Sequence, residues 1–224
     1  MTAWPTPAAG WRALKRGWMR YHLGDERFAF MWDAPPPDEW VALDCETTGL
    51  DVSRDEIISV GAVRIVGDRL MTSQRLELLV KPRKAYHAAS AGAVKVHGLR
   101  EQDLAQGLDI DEAMHRLMRF IGARPLVGYY LEFDLAMINR AIFPLLGVPL
   151  PQPRFEVSAM YHQLKFKQLP PYQQQGGVTI DLRFATLMAD LGLPERHAHD
   201  ALNDAVMAGL AFIKLRRLLG LGAG

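Results

Sequence analysis

The segment Trp-Val-Ala-Leu-Asp-Cys-Glu-Thr-Thr-Gly-Leu, residues 40–50, decides the fold class of this chain. Its first four residues are apolar and predict a buried strand. Asp44 and Glu46 follow two positions apart, so both carboxylates lie on the same face of that strand, and Thr47-Thr48-Gly49 then turns the chain. Two neighbouring carboxylates repel each other unless a cation joins them, and oxygen ligands suit Mg²⁺ or Mn²⁺. The segment therefore predicts a strand that ends in a candidate metal site.

The regions that follow this segment predict further strands and then helices. Two apolar runs rich in Val and Ile, residues 57–66 and 74–80, are typical of strands, and Gly67-Asp68 between them predicts a hairpin turn. Residues 125–129 predict a short buried strand. Residues 168–177 are rich in Pro, Gln and Gly and predict an exposed mobile loop. Apolar residues recur with helical spacing in residues 113–121, 135–146, 181–191 and 200–219. This order predicts an α/β fold, a mixed sheet with helices on both faces.

The N-terminal region predicts an amphipathic helix and a connector. Aromatic and leucine side chains recur there at spacings of three and four, at Trp11, Leu14, Trp18 and Tyr21. Their common face either packs on the rest of the chain or docks on a partner. The proline-rich stretch 34–38 cannot continue a helix. We therefore expect residues 1–39 to form a helix and connector, and residues 40–224 to form the main domain.

The composition limits the possible functions of the chain but does not indicate a particular function. The 224 residues, 49% of them hydrophobic, can bury the core of one domain. Lys and Arg nearly balance Asp and Glu, leaving a formal charge of +1, so no polyanionic partner is demanded. Basic residues do cluster in the acid-free residues 1–24 and again at Arg75, Lys81, Arg83 and Lys84. These clusters either meet phosphates or form solvated surface.

The chain shows no sign of export or membrane insertion. One cysteine, Cys45, cannot form an internal disulfide, which favours a reducing compartment such as the cytoplasm. No apolar run approaches the roughly 20 residues that span a bilayer, and the N-terminus lacks a continuous apolar signal segment. We therefore expect a soluble, cytoplasmic protein with no membrane partner.

Three further residues can take part in chemistry with the first two acids. Asp134 follows the strand at 125–129 and opens a helical stretch, so by itself it could be a helix cap. His199 precedes Asp204 by five residues, and Asp204 lies about one turn inside the last predicted helix, where a cap does not explain it.

Together these residues resemble the DEDDh exonucleases, the DnaQ-like group that includes polymerase proofreading subunits, ribonuclease T and oligoribonuclease. The resemblance extends over residues 40–215 and depends on the following motifs: Asp44-x-Glu46-Thr47-Thr48-Gly49-Leu50, Val96-His97-Gly98-Leu99, Phe133-Asp134, and His199 with Asp204.

The resemblance implies a ribonuclease-H-like mixed five-stranded sheet and a site for two divalent cations, Mg²⁺ or Mn²⁺. By resemblance, Asp44, Glu46, Asp134 and Asp204 hold the two ions, which stabilise the attacking and leaving oxygens of a phosphodiester displacement. His199 is then the general base, because an imidazole titrates near neutral pH. His197 is the rival candidate, and the spacing to Asp204 favours His199.

The same resemblance assigns substrate contacts. Thr47, Thr48, Leu50 and His97 are expected against the terminal nucleotide, although turn hydroxyls that bond their own backbone and a histidine that caps a helix are alternatives. Two positions depart from many relatives. Tyr129-Tyr130 replaces His-Asn, and Glu156 replaces an Asp. Both departures leave the metal ligands in place, and the tyrosines could stack on bases.

The expected function is a 3′–5′ exonuclease that releases nucleoside 5′-monophosphates, in proofreading or repair. The Thr47-Thr48 form of the first motif and the N-terminal addition favour DNA over RNA, and single-stranded DNA is the expected partner. An exoribonuclease of the same family and a non-catalytic docking subunit are the alternatives. A DNA polymerase subunit is a possible further partner, and a homodimer is a possible assembly.

Overall fold

The computed structural model describes residues 7–83, 98–174, 177–195 and 200–221. His97, His197 and His199 therefore lie outside the described residues. The helices and strands are, in chain order, α1 (Pro7–Tyr21), a 3₁₀ helix (Glu26–Trp32), β1 (Glu39–Thr47), β2 (Ile57–Val66), β3 (Arg69–Leu79), α2 (Glu101–Leu104), α3 (Ile110–Ile121), β4 (Leu126–Gly128), α4 (Leu131–Leu146), β5 (Arg154–Glu156), α5 (Val157–Gln168), α6 (Pro171–Gln174), α7 (Phe184–Asp190) and α8 (Ala201–Leu218).

The strands form one five-stranded sheet with the order β3-β2-β1-β4-β5. The two pairs β3/β2 and β2/β1 are antiparallel, whereas β1/β4 and β4/β5 are parallel. The sheet is therefore mixed, as predicted. Because β1 and β4 run in the same direction, the residues that follow each of them meet at the same edge of the sheet.

Side chains of β1 alternate between two apolar cores. Val41 and Leu43 belong to the core shared with α3, α4 and the 3₁₀ helix. Ala42 belongs to the other core, with residues of α5, α7 and α8. Helices thus cover both faces of the sheet, as predicted. Since successive strand residues point to opposite faces, Asp44 and Glu46 continue the row of Ala42 and face α8.

The predicted secondary structure differs from the observed one in several parts, and the helix predicted at 181–191 begins only at Phe184. The strand predicted at 74–80 begins earlier, at Arg69, directly after the turn at Gly67, whose φ is +57°. The first half of this edge strand is rich in polar residues, because its outer face meets solvent, so the apolar pattern did not indicate it. Helix α5 was not predicted from the sequence. Its buried residues nevertheless have helical spacing: Val157, Met160, Tyr161 and Leu164. A four-residue helix, α6, lies inside the predicted loop 168–177, whose mobility stays a prediction.

The aromatic face of α1 is largely exposed and is not buried against the described part of the chain. Its four side chains are 60–86% exposed: Trp11, Leu14, Trp18 and Tyr21. The helix is attached by other groups. Met19 and Leu23 are buried in the core that contains Val41, and the Arg16 guanidinium donates to the carbonyl oxygens of Pro151, Met31 and Asp33. The packing alternative for this face is therefore wrong, and docking stays a prediction.

Residues before position 40 share a core with the main domain. Phe28 and Met31 of the 3₁₀ helix are at most 1% exposed and belong to the core of α3 and α4. The division at residues 39 and 40 stays a prediction. Among the described residues, no helix is long and apolar enough to cross a membrane.

Candidate active site

Three carboxylates from two elements meet beside the sheet. Asp44 and Glu46 lie on β1, two residues apart, and Asp204 lies in the first turn of α8. One carboxylate oxygen of each lies within 4.8 Å of the others, a separation that allows all three to bind one metal ion. The cluster is partly accessible to solvent. The structure thus brings these three residues of β1 and the last helix together, and their role as metal ligands stays a prediction.

Gly61 allows α8 to approach the sheet closely enough to form this cluster. Gly61 pairs with Asp44 in the β1/β2 ladder. A Cβ atom at Gly61 would lie only 2.2 Å from the backbone nitrogen of Leu202, so any larger residue would push the start of α8 away. A glycine inside a strand is the sequence signal for such a contact.

Asp134 lies next to the cluster and is not a helix cap. Helix α4 begins at Leu131 with Tyr130 at its N-cap, so Asp134 is the fourth residue of the helix. Its Oδ1 accepts a hydrogen bond from the backbone N–H of Cys45 at 3.0 Å, between the two acids of β1. The Asp134 side chain is buried, and its charge contributes to the raised pKa of Asp44. Asp134 is outside the three-residue group, and its predicted role as a metal ligand stays a proposal.

The pKa values of the cluster show that negative charge accumulates there. Burial, followed by the charges of Asp134 and Asp204, raises the pKa of Asp44 well above its ordinary value. Burial and the charges of Asp204 and Asp200 raise the pKa of Glu46 to about 7. Burial also raises the pKa of Asp134 to about 7, against the hydrogen bond from Cys45. A divalent cation would offset this repulsion, and the all-oxygen donor set fits Mg²⁺ or Mn²⁺.

The loop after β1 uses its threonine hydroxyls to hold its own shape. Thr47 Oγ1 donates to the carbonyl oxygen of Gly49 at 2.7 Å, and Thr48 Oγ1 donates to Asp55 Oδ1 at 2.9 Å. A Cβ atom at Gly49 would lie 2.6 Å from the Asp55 carboxylate, so the turn requires glycine. Leu50 is 86% exposed beside these residues. The Thr47 hydroxyl thus bonds the backbone of its own turn, whereas the Thr48 hydroxyl bonds the Asp55 carboxylate. The Leu50 side chain is exposed, and its contact with a nucleotide stays a prediction.

Two acidic residues near the site have structural roles that were not predicted from the sequence. Asp200 is the N-cap of α8, where its side chain accepts from the backbone N–H of Asn203, and its charge raises the pKa of Glu46. Glu156 accepts from the backbone N–H groups of Tyr130 and Leu131 and thereby fixes the start of α4. An Asp before a helix is a known cap signal, but no local pattern reveals a clamp formed across 25 residues.

The sheet order and the three-carboxylate cluster define a ribonuclease-H-like protein with an acidic site suited to divalent cations. Residues 41–212 match the family RNase_T, described as "Exonuclease". The chain belongs to this exonuclease family, within the DnaQ-like group, which confirms the resemblance seen in the motifs.

Its relatives include proteins named as DNA polymerase III or as its subunits. The chain is 30% identical to a "DNA polymerase III subunit epsilon-like protein" of Rhodobacter capsulatus over 79% of this chain and 23% of that protein. It is 28% identical to a "DNA polymerase III PolC-type" of Thermotoga maritima over 80% of this chain and 12% of that protein. It is 24% identical to the "DNA polymerase III subunit epsilon" of Aquifex aeolicus over 79% of both chains. The chain thus spans less than a quarter of the length of the first two relatives.

Solved structures share the fold at low sequence identity. E. coli exonuclease I in complex with a dT13 oligonucleotide superimposes with a TM-score of 0.64 at 18% identity, over 82% of this chain and 43% of that chain. The zinc-bound exonuclease I complex with single-stranded DNA gives a TM-score of 0.65 at 19% identity, over 83% of this chain and 43% of that chain. These likenesses confirm the ribonuclease-H-like fold.

Proposed function

We propose that this chain is a 3′–5′ exonuclease that uses two divalent cations and releases nucleoside 5′-monophosphates. The observation that carries the proposal is the meeting of Asp44, Glu46 and Asp204, whose carboxylate oxygens lie within 4.8 Å of one another. Asp134 lies beside them and is the fourth proposed ligand. Membership of the exonuclease family supports the same reaction class.

The proposed mechanism divides the work between the acids and a histidine. When bound, two divalent cations supply positive charge for the attacking and leaving oxygens of an in-line displacement. Asp44, Glu46, Asp134 and Asp204 hold these ions, and the Cys45 N–H fixes the orientation of Asp134. A ring nitrogen of His199 takes the proton from the attacking water.

The proposed contacts of the terminal nucleotide lie around the loop after β1. Leu50, exposed at its tip, supplies an apolar contact for the terminal base. Thr47 and Thr48 keep the loop in place through their hydroxyl bonds and offer backbone groups to the nucleotide. His97 is the fourth proposed contact. The role of every one of these residues is a proposal.

Single-stranded DNA is the proposed substrate, and RNA is the alternative. The solved relatives include exonuclease I in complex with dT13 and with dA16 oligonucleotides. The polymerase names of the sequence relatives also favour DNA. Discrimination from RNA depends on a contact with the 2′-hydroxyl, which an exoribonuclease would recognise.

A time course of digestion tests this function. Purified protein is incubated with Mg²⁺ and a 5′-labelled single-stranded DNA or an RNA of the same sequence. We expect products that shorten one nucleotide at a time from the 3′ end, faster on DNA, with no cleavage in EDTA and recovery on addition of Mg²⁺ or Mn²⁺. Activity that survives thorough chelation would reject the two-ion mechanism, and faster RNA digestion would establish the exoribonuclease.

We also propose that the exposed face of α1 docks on a replicative polymerase subunit. The relatives named above are polymerase subunits or polymerases. The face presents Trp11, Leu14 and Trp18 together, and tryptophans of this exposure are typical anchors of protein interfaces. Residues 1–24 contain no acidic residue, so the helix would not repel an acidic surface on the polymerase, although Arg16 and Arg20 are already bonded within this chain.

The double variant Trp11→Gln/Trp18→Gln tests this docking. We expect it to bind the purified replicative polymerase subunit of the same genome at least about tenfold more weakly, because two apolar anchors are lost. Its rate on free single-stranded DNA should not change. Affinity is measured by biolayer interferometry, with the equally exposed Tyr172→Gln as the matched control. Unchanged affinity of the double variant would refute the docking proposal, as would a wild-type chain that binds no polymerase and instead forms a dimer through α1.

A further inference from the structure

Tyr130 has a backbone conformation that its side chain disfavours. Its φ and ψ angles are +51° and +34°, in the left-handed region. A bulky aromatic residue rarely adopts this conformation, which Asn and Gly tolerate much better. Both oxygens of the Glu156 carboxylate hold this turn, at 2.9 Å from the Tyr130 nitrogen and 2.8 Å from the Leu131 nitrogen. A tyrosine at this position therefore carries backbone strain, although more than half of its side chain, 56%, is exposed.

The Tyr130 ring lies on a rigid aromatic support. Its centroid is 4.4 Å from that of Tyr129, which in turn stacks on Phe184 at 4.5 Å with an interplanar angle of 30°. The Tyr129 hydroxyl donates to the carbonyl oxygen of Leu182 at 2.8 Å. Burial, followed by a side-chain hydrogen bond with Tyr130, raises the pKa of Tyr129 above its ordinary value. We call Tyr129, Tyr130 and Phe184 the aromatic shelf.

The aromatic shelf lies on the side of the acidic cluster opposite to Leu50. Strand β1 carries Asp44 and Glu46 and has β2 on one side and β4 on the other. Leu50 is in the loop that leads from β1 to β2, whereas Tyr130 directly follows β4 at the same edge of the sheet. A scissile phosphate at the carboxylates would therefore have Leu50 on one side and the aromatic shelf on the other.

We propose that Tyr130 stacks on the base of the nucleotide upstream of the scissile phosphate and so determines specificity for polymeric substrates. This inference rests on the proposed exonuclease function. Every nucleobase has an aromatic face, so stacking retains a strand without selecting its sequence, as degradation from an end requires. Tyr130 is exposed and held on one side by Tyr129, so its other face is available to a base. The strained backbone is then the cost of presenting the ring at this place.

The experiment compares Tyr130→Asn with Tyr130→Phe on two substrates. One is a single-stranded DNA ten-mer, and the other is the methyl ester of thymidine 5′-monophosphate, which has a terminal nucleotide but no aromatic group on the upstream side of the phosphate. We expect Tyr130→Asn to reduce kcat/KM on the ten-mer about tenfold, mainly through KM, and to leave the ester unchanged. Its Tm should rise, because Asn relieves the backbone strain. Tyr130→Phe keeps the ring, so its kcat/KM on both substrates should match that of the wild type, although it loses the hydrogen bond to Tyr129.

A ten-mer that lacks its penultimate base provides an independent measurement. The wild type should cut it with a kcat/KM about tenfold lower than for the complete ten-mer, whereas Tyr130→Asn should have the same kcat/KM on both. If Tyr130→Asn lowers kcat/KM equally on the ten-mer and on the ester, the stacking role is overturned, since this result would indicate that Tyr130 only positions α4. Wild-type kinetics of Tyr130→Asn on the ten-mer would overturn it as well. A wild-type protein that cuts neither substrate would overturn the exonuclease function, and with it this inference.

Discussion

Replacement of Asp44 by Asn is expected to lower the rate of DNA digestion by at least about a thousandfold, which corresponds to about 4 kcal/mol in the activation barrier. Asp44 belongs to the three-carboxylate group and receives charge effects from Glu46, Asp134 and Asp204, so it is electrostatically central to the site. Asn keeps the size of the side chain but removes the charge that holds a cation. Asp204→Asn should have a similar effect, because it removes the only member of the group that α8 supplies.

The same substitution should stabilise the protein in the absence of metal. A carboxyl whose folded-state pKa is raised destabilises the fold once it ionises, so the wild-type protein loses stability as pH rises through the raised pKa. For Glu46 and Asp134 the loss begins near the ordinary pKa values of 4.5 and 3.8 and is complete just above the raised value of about 7, and the raised pKa of Asp44 acts in the same direction. In EDTA, Asp44→Asn should therefore have a higher Tm than the wild type at pH 8, and the difference should shrink at pH 5.

The exposed Asp109→Asn is the matched control for both measurements, since its side chain makes no capping hydrogen bond. It should change neither the rate nor the metal-free Tm. Near-normal digestion by Asp44→Asn would exclude Asp44 as a metal ligand. A lower metal-free Tm of this variant at pH 8 would show that the carboxylate stabilises the fold, contrary to the charge repulsion inferred here.

The second large effect is expected from His199→Ala, which should lower the rate about a hundredfold to ten-thousandfold and leave metal binding intact. General-base catalysis contributes effects of this size, and a base that does not bind the metal can be removed without loss of the ions. Rates are measured on single-stranded DNA from pH 5 to 9, and Mn²⁺ affinity is measured by calorimetry. The wild-type rate should fall at acidic pH as the imidazole is protonated, and the variant should lack this dependence.

His197→Ala is the control for this experiment, because it removes the same ring two residues earlier. It should retain most of the wild-type rate and the acidic limb of the pH profile. If His197→Ala loses the activity and His199→Ala keeps it, the assignment of the base is reversed. A large loss of Mn²⁺ affinity in His199→Ala would instead make this histidine a metal ligand.

The sequence by itself determined the elements and most of the chemistry. The alternation of apolar residues and acids in residues 40–46 was enough to predict β1 and to place Asp44 and Glu46 on one face, because strand geometry has a period of two residues. The mixed sheet and the helices on both faces followed from local patterns, whereas the five strands and the exonuclease family followed from the resemblance of the motifs. All of these predictions are confirmed. Signals of this kind are local, so they can be read along the chain.

Only the tertiary structure decided how these residues meet. Asp134 could be read as a cap until the fold placed it against the Cys45 amide, 89 residues away. The close approach of Gly61 to α8, the clamp from Glu156 to the start of α4, and the strained Tyr130 on its aromatic support all depend on contacts between distant segments. The outward aromatic face of α1 was equally undecided, because helical spacing defines a face but not what covers it. Long-range packing decides such features, since it depends on which surfaces the whole chain brings together.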